Sequence, residues 1–166
     1  MKKYHSKRLK SELCKITILH TPVIGKLFII RTDASWIAVS GCLTQLGEGY
    51  EVVDEHGTGE KPIAFCSKKL NPTQCAWSTI EREAYAIIFS LEKLHNIIFG
   101  APLIVYSDQN PLSYIVEGVS RSAKLTRWSL ALQNYDIDFR YVKSAHNNLI
   151  NRQTAYPGSS HPTGIL

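Results

Sequence analysis

The chain predicts an α/β fold, a five-stranded mixed sheet whose first three strands are antiparallel, flanked by helices. Three observations carry this. Apolar, β-branched runs bounded by turn residues fill the first half of the chain, in "KLFIIRTD", "WIAVSGCLTQL" and "KPIAFCSKKL". A long helical periodicity follows them. Two further strand-like runs are then each reached through a helical stretch, which sets them parallel to the first strand.

Taken in order, residues 7 to 19 (KRLKSELCKITIL) place Leu9, Leu13, Ile16 and Leu19 near helical spacing until Pro22 ends the pattern. KLFIIRTD is the first strand and WIAVSGCLTQL the second. The stretch "GEGYEVVDEHGTGE" is a turn-rich hairpin tip. The third strand stops before Asn71 and Pro72. From Thr79 to Phe99, Ile80, Ala84, Ile87, Ile88, Leu91 and Leu94 recur at intervals of three and four, the signature of a long amphipathic helix. "PLIVYSD" is the fourth strand, with Asp108 at its end, and Pro111 suits the first turn of a helix through Tyr114. "KLTRWSLALQNY" is helical and "DIDFRYVK" is the fifth strand. The tail past Pro157 carries no pattern and reads as disordered. There are no internal repeats. These boundaries give a basic helical linker at 1–21, one α/β domain at 22–155 and a tail at 156–166.

A chain of 166 residues fits one domain with a real core. Its 44% hydrophobic and 20% charged residues suit a globular protein. No stretch approaches the roughly 18 to 20 apolar residues of a membrane span, so no membrane partner is expected. The basic amino end, MKKYHSKRLKSELCK, has no apolar block of the kind a secretory signal needs. Cys14, Cys42, Cys66 and Cys75 form no C-x-x-C pair and no zinc-ligand spacing. Free thiols imply a reducing, intracellular setting, cytoplasmic or nuclear. The net charge of +5 resides in the first twenty residues, where Lys2, Lys3, Lys7, Arg8, Lys10 and Lys15 face only Glu12. Such a segment suits phosphate neutralisation. It suits a solvated helix equally well, so charge alone does not choose a function.

The acids say more. Asp33 and Asp108 each close an apolar run, where a carboxylate is costly to bury unless something pairs with it. In sheets of this kind, sites form at the carboxyl ends of parallel strands. On the long helix, Glu83 lies one position before Ala84 and four before Ile87, so it borders the buried stripe and can face the sheet. Glu81 falls about 160 degrees further round by the helical period, which predicts solvent. Three carboxylates brought together would repel one another unless a cation sat among them. Hard oxygen ligands without histidine or thiolate suit Mg²⁺. Two such ions about 4 Å apart are the usual apparatus of phosphodiester cleavage. Strand-end caps and a helix ion pair account for the same acids without any metal.

The segments "TDASWIAVSGCLTQ", "PIAFCSKKLNPTQCAWSTIEREAYAI", "VYSDQNPLSYI" and "KLTRWSLALQNYDIDFRYVKSAHNN" together resemble the ribonuclease H domain of reverse transcriptases from Ty3/gypsy-type LTR retrotransposons. The likeness runs in order from about residue 22 to residue 152, and the helix before it resembles the linker after the polymerase thumb. The resemblance implies a ribonuclease H-like fold and hydrolysis of the RNA strand in an RNA–DNA hybrid. It implies four acids holding two Mg²⁺ ions, for which Mn²⁺ can substitute. The T-D-A-S motif maps to Asp33, the E-x-E-x-x-A helix motif to Glu83 and the D-x-x-P-L motif to Asp108. The fourth acid's segment reads "NNLINRQTA", and its position holds Asn151. An amide oxygen can ligate Mg²⁺ but brings no negative charge, so the second ion should be held more weakly. Asp136 and Asp138 share one face of the last strand, expected to be the polar one, and are poor substitutes. Ala38 and Ser40 stand where the family commonly has glycines. Polymerase and integrase domains of a parent polyprotein are the implied partners besides the hybrid.

Other residues carry two readings each. Ser35 and Gln45 either meet the hybrid's backbone or satisfy strand-end hydrogen bonds. Lys124 and Arg127 either meet phosphates or solvate their helix. His146 either shuttles protons or is an ordinary loop histidine. Trp128 and Tyr114 read as packing. Two functions therefore follow from the sequence. The first is a Mg²⁺-dependent endoribonuclease with Asp33, Glu83 and Asp108 as metal ligands and Asn151 as a weakened fourth. The second is a non-catalytic hybrid-binding or structural module, favoured by Asn151 and the unmatched tail. No Y-x-D-D motif is present, so the polymerase site is not on this chain.

Overall fold

Along FIIRTDA, successive buried residues point to opposite faces, which makes β1 (Phe28–Ala34) a strand covered on both sides. Phe28 and Ile30 join one apolar cluster and Ile29 joins another. In this computed structural model, which describes residues 18–107, 115 and 123–141, β1 is the centre of a five-stranded sheet ordered β3-β2-β1-β4-β5. β2 (Ala38–Leu46) runs antiparallel to β1, and β3 (Glu60–Lys69) antiparallel to β2. β4 (Pro102–Ser107) runs parallel to β1, and β5 (Asp136–Tyr141) parallel to β4. The sheet is the one the sequence predicts.

Three helices are described along their length, and Ile115 is a further described helical residue. α1 (Pro72–Cys75) is a single turn closed by an Asn71–Gln74 capping box. The sequence reading had no helix there. α2 (Thr79–Ile98) begins with a second capping box, Ser78 with Glu81, which satisfies the amides a helix start leaves open. Its stripe of Ile87, Leu91, Leu94 and Ile98 packs on Phe28, Ile30, Leu43, Leu103 and Val105 of the sheet. α3 (Ala123–Leu132) then covers another side of α2, with Leu125 and Trp128 against Ala84 and Ile88. Trp128 is thus packing, as its helical spacing suggests. α3 ends three residues before the expected Tyr135, in a turn where Asn134 and Tyr135 donate to Ala131 and Leu132. The expected helices at 7–17 and 111–114 and the tail past 157 lie outside the described residues. Ile18 and Leu19, which are described, belong to no helix.

α2 packs tightly on the sheet at Gly41, which pairs with Thr32. A Cβ there would run into Oγ and Cβ of Ser90 and approach Sγ of Cys66. Ser90 cannot withdraw easily, because it is fully buried and its hydroxyl donates to the Ala86 carbonyl at 2.7 Å. Gly41→Ala should therefore lower stability by about 1–3 kcal/mol, the usual cost of overpacking. Denaturant titration of the variant beside the parent measures it.

Candidate active site

α2 runs antiparallel to β1. Ser90 lies over Gly41, beside Thr32, while Ala86, one turn earlier, packs with Ala34 and Val39. The first turns of α2 therefore stand at the carboxyl end of β1. Asp33, half-buried, occupies that end and pairs with Ser40. Glu83 sits on α2 one turn before Ala86 and Ile87, and it is 1% exposed. Glu83 is thus turned inward rather than to solvent.

The parallel neighbour β4 ends at the same level. Tyr106 pairs with Arg31, and the Thr32 hydroxyl donates to the Tyr106 carbonyl at 3.3 Å, tying the two strands together. Ser107, buried, is the last described residue of β4. Asp108, Asn151 and His146 lie outside the described residues.

Glu81 is a correction. Its side chain is 19% exposed rather than solvated. Glu81 Oε2 accepts from the Ser78 amide at 3.0 Å, and Oε1 accepts from Lys124 Nζ at 2.5 Å. The reason is the second layer: α3 covers the side of α2 that a single-helix projection assigns to water. Burial pushes the Glu81 carboxyl up, but the hydrogen bonds from Lys124 and Ser78 and the Lys124 charge outweigh it, taking it from 4.5 to about 2. A lowered native value means that the stabilisation is complete above the ordinary carboxylate range and is lost as pH falls through about 2. Glu81→Gln should flatten the acid limb of a plot of Tm against pH in that window.

The same contacts account for Lys124. Besides Glu81, its ammonium stands 4.3 Å from the Trp77 ring centre and 5.2 Å from that of Trp128. It is a clamp between α2 and α3. Arg127, one of the two cations expected to meet phosphate, is exposed.

The two polar candidates on the hairpin separate. Ser35 Oγ accepts from the amides of Ile37 and Ala38 and donates to the Ala38 carbonyl, so it shapes the turn between β1 and β2. Gln45 pairs at the far end of β2, opposite the start of β3, and is 5% exposed. Its amide joins the Val23 amide and carbonyl and the Lys26 carbonyl, holding the turn before β1. That places Gln45 at the other end of β2 from the Asp33–Ser40 pair, with its amide engaged in strand-end hydrogen bonds, the second of its two readings. Asp136 and Asp138 are both exposed on one face of β5, and Asp138 pairs with Arg140 at 2.9 Å.

One cluster was missed from sequence. Arg31, two residues before Asp33, is 1% exposed and makes a bidentate pair with Glu60, whose side chain is fully buried. Nε and Nη2 donate to the two Glu60 oxygens at 3.1 and 2.6 Å. Nη1 and Nη2 also donate to the Glu55 and Asp54 carbonyls, and the guanidinium lies 4.2 Å from the Tyr106 ring centre. The only signal was an arginine inside an apolar run. Its partner stands 29 residues away in a turn-rich stretch.

The donor chemistry at this end of the sheet fits a hard cation. Asp33 and Glu83 offer carboxylate oxygens. Cys42, which pairs with Arg31, has its thiol pushed up to about 12 by burial and by Glu60, so it is no thiolate ligand at neutral pH. Among the described residues no three of His, Cys, Asp and Glu gather as a metal cluster; Asp33 and Glu83 are two of the four expected positions.

A family model described as the RNase H-like domain found in reverse transcriptase matches residues 24–135. The chain belongs to that family. It is 37% identical over 150 residues to the retrovirus-related Pol polyprotein from transposon opus of Drosophila melanogaster. That match covers 90% of this chain and 14% of the relative. With the Pol polyprotein from transposon 412 of the same organism it shares 33% over 141 residues, 85% of this chain and 11% of that one. The chain therefore spans a small part of the curated relatives it matches. Among solved structures, the foamy viral protease-reverse transcriptase in complex with RNA/DNA hybrid superposes with a TM-score of 0.58 at 18% identity. It covers 98% of this chain and 20% of that one. The native prototype foamy virus enzyme gives 0.60 at 18%, over 82% of this chain and 18% of that one. The fold of this RNase H-like domain is thus the ribonuclease H-like one, and its relatives are gypsy-type retroelement polyproteins, as the motifs imply. The matched range includes Asp33, Glu83 and Asp108 and stops before Asn151.

Proposed function

We propose that this RNase H-like domain hydrolyses the RNA strand of RNA–DNA hybrids as part of a retroelement reverse transcriptase. The observation that supports the reading is a buried carboxylate, Glu83, in the first turns of α2, the helix whose start stands at the Asp33 end of β1. Asp33, Glu83 and Asp108 would hold Mg²⁺, with Asn151 as a neutral fourth ligand. The metal, when bound, supplies activation of the attacking water and stabilisation of the leaving oxygen. The protein's own contribution is placement. β1 and α2 fix the two described carboxylates on rigid elements, and the RNA 2′-hydroxyl marks the strand to be cut. Polymerase and integrase domains of a parent polyprotein are the partners this reading implies, in a cytoplasmic particle or the nucleus.

Asn151 favours a second reading, an inactive hybrid-binding or structural module. Labelled RNA–DNA hybrid incubated with the parent, Asp33→Asn and Asn151→Asp, in Mg²⁺ and then Mn²⁺, decides between them. Cleavage by the parent that disappears in Asp33→Asn establishes a three-acid enzyme. Cleavage only after Asn151→Asp identifies an intact scaffold disabled at one ligand. No cleavage by any folded variant overturns the catalytic reading.

A further inference from the structure

We propose that Trp36, with Lys69 at the same end of the sheet, is a contact for the sugar–phosphate surface of the hybrid near Asp33, an inference that rests on the proposed function. Trp36 follows Asp33 by three residues, at the tip of the turn between β1 and β2. It is 71% exposed, and its neighbour Ile37 is 42% exposed. Turn tips usually carry Gly, Asn, Asp or Ser, which suit water and tight backbone. A tryptophan followed by isoleucine there presents apolar surface at the one end of the sheet where the acids stand.

The tip is also fixed. Ser35 N donates to the Ala38 carbonyl at 2.8 Å, and Ser35 Oγ accepts from the Ile37 and Ala38 amides at 3.3 and 3.0 Å. From the other side, the Leu70 amide donates to the Ile37 carbonyl at 2.7 Å. Binding through Trp36 therefore orders little backbone, which is the main cost of using a loop. Lys69 pairs with Ala38, two residues after Trp36, at the end of β3 and is exposed, so this end of the sheet also carries a cation. A flat apolar face with an N–H donor and an exposed ammonium at the same end of the sheet match a sugar–phosphate backbone: the ring packs on sugars or bases, and the ammonium meets phosphate. The other two tryptophans are engaged elsewhere, in the Trp77–Tyr85–Trp128 cluster.

Anisotropy of a fluorescein-labelled RNA–DNA hybrid, with Ca²⁺ in place of Mg²⁺, tests this on the whole chain. Trp36→Ala should weaken binding about tenfold, the scale of one aromatic contact to nucleic acid. Trp36→Phe should stay within about threefold of the parent, keeping a ring face. Lys69→Gln should lower the slope of log affinity against log salt by about 1. Hybrid should also quench the parent's indole emission, and Trp36→Phe should remove that quenching, a readout that needs no folded alanine variant. Parent and Trp36→Ala binding alike, with no quenching, overturns this inference and leaves the proposed function standing. A parent that binds no hybrid overturns both.

Discussion

Glu83→Gln should reduce hybrid cleavage by more than about a hundredfold, since even the partners of metal ligands cost 10–100-fold when removed. The substitution keeps the shape of a side chain that is 1% exposed on α2 and removes only its charge. Single-turnover cleavage with excess protein separates this from weaker binding, and a circular dichroism melt separates it from loss of fold. Glu81→Gln is the matched control on the same helix. Glu81 serves the helix cap and the Lys124 clamp, so its loss should cost stability and leave the cleavage step nearly intact. Equal cleavage by Glu83→Gln and the parent would remove Glu83 from the ligand set.

Arg31→Ala should cost about 3–5 kcal/mol, a fall in Tm of roughly 10 °C for a domain of this size. The magnitude comes from what remains behind. Glu60 would be a buried carboxylate facing no cation, and the Asp54 and Glu55 carbonyls would lose their donors. Thr44 would still donate to Glu60 at 2.7 Å, which is too little for a full charge. The double variant Arg31→Met, Glu60→Leu tests the cause. Replacing both partners by apolar groups of similar size should return most of the loss, because the pair's own desolvation is removed with it. If the double variant is as unstable as Arg31→Ala, the loss comes from the loop carbonyls and not from the stranded charge.

Strands and long helices were legible because their periodicity is local. The α2 stripe needed only intervals of three and four, and the same spacing sets Glu83 among its buried residues. Glu81 was misplaced because a helical projection knows one covering surface, and α2 has two, the sheet and α3. Sequence leaves Gln45 open between a hybrid contact and a strand-end hydrogen bond. Its work is done on backbone 19 to 22 residues away, which no local pattern encodes. The Arg31–Glu60 pair failed for the same reason. α1 is one turn, too short for any periodicity, and in sequence its Asn71–Pro72 start marks only the end of the third strand.

The turn before β1 has a mechanical consequence. His20 donates to the Pro62 carbonyl, and Gln45 grips Val23 and Lys26. Both attachments lie at the amino end of β1, about 17 Å along the strand from Asp33 at the usual rise per residue. A pull arriving from the amino-terminal side is taken up by β2 and β3, in shear across their paired backbones, before it reaches the carboxylates. The acid end of the sheet is thereby insulated from tugging by whatever is joined upstream.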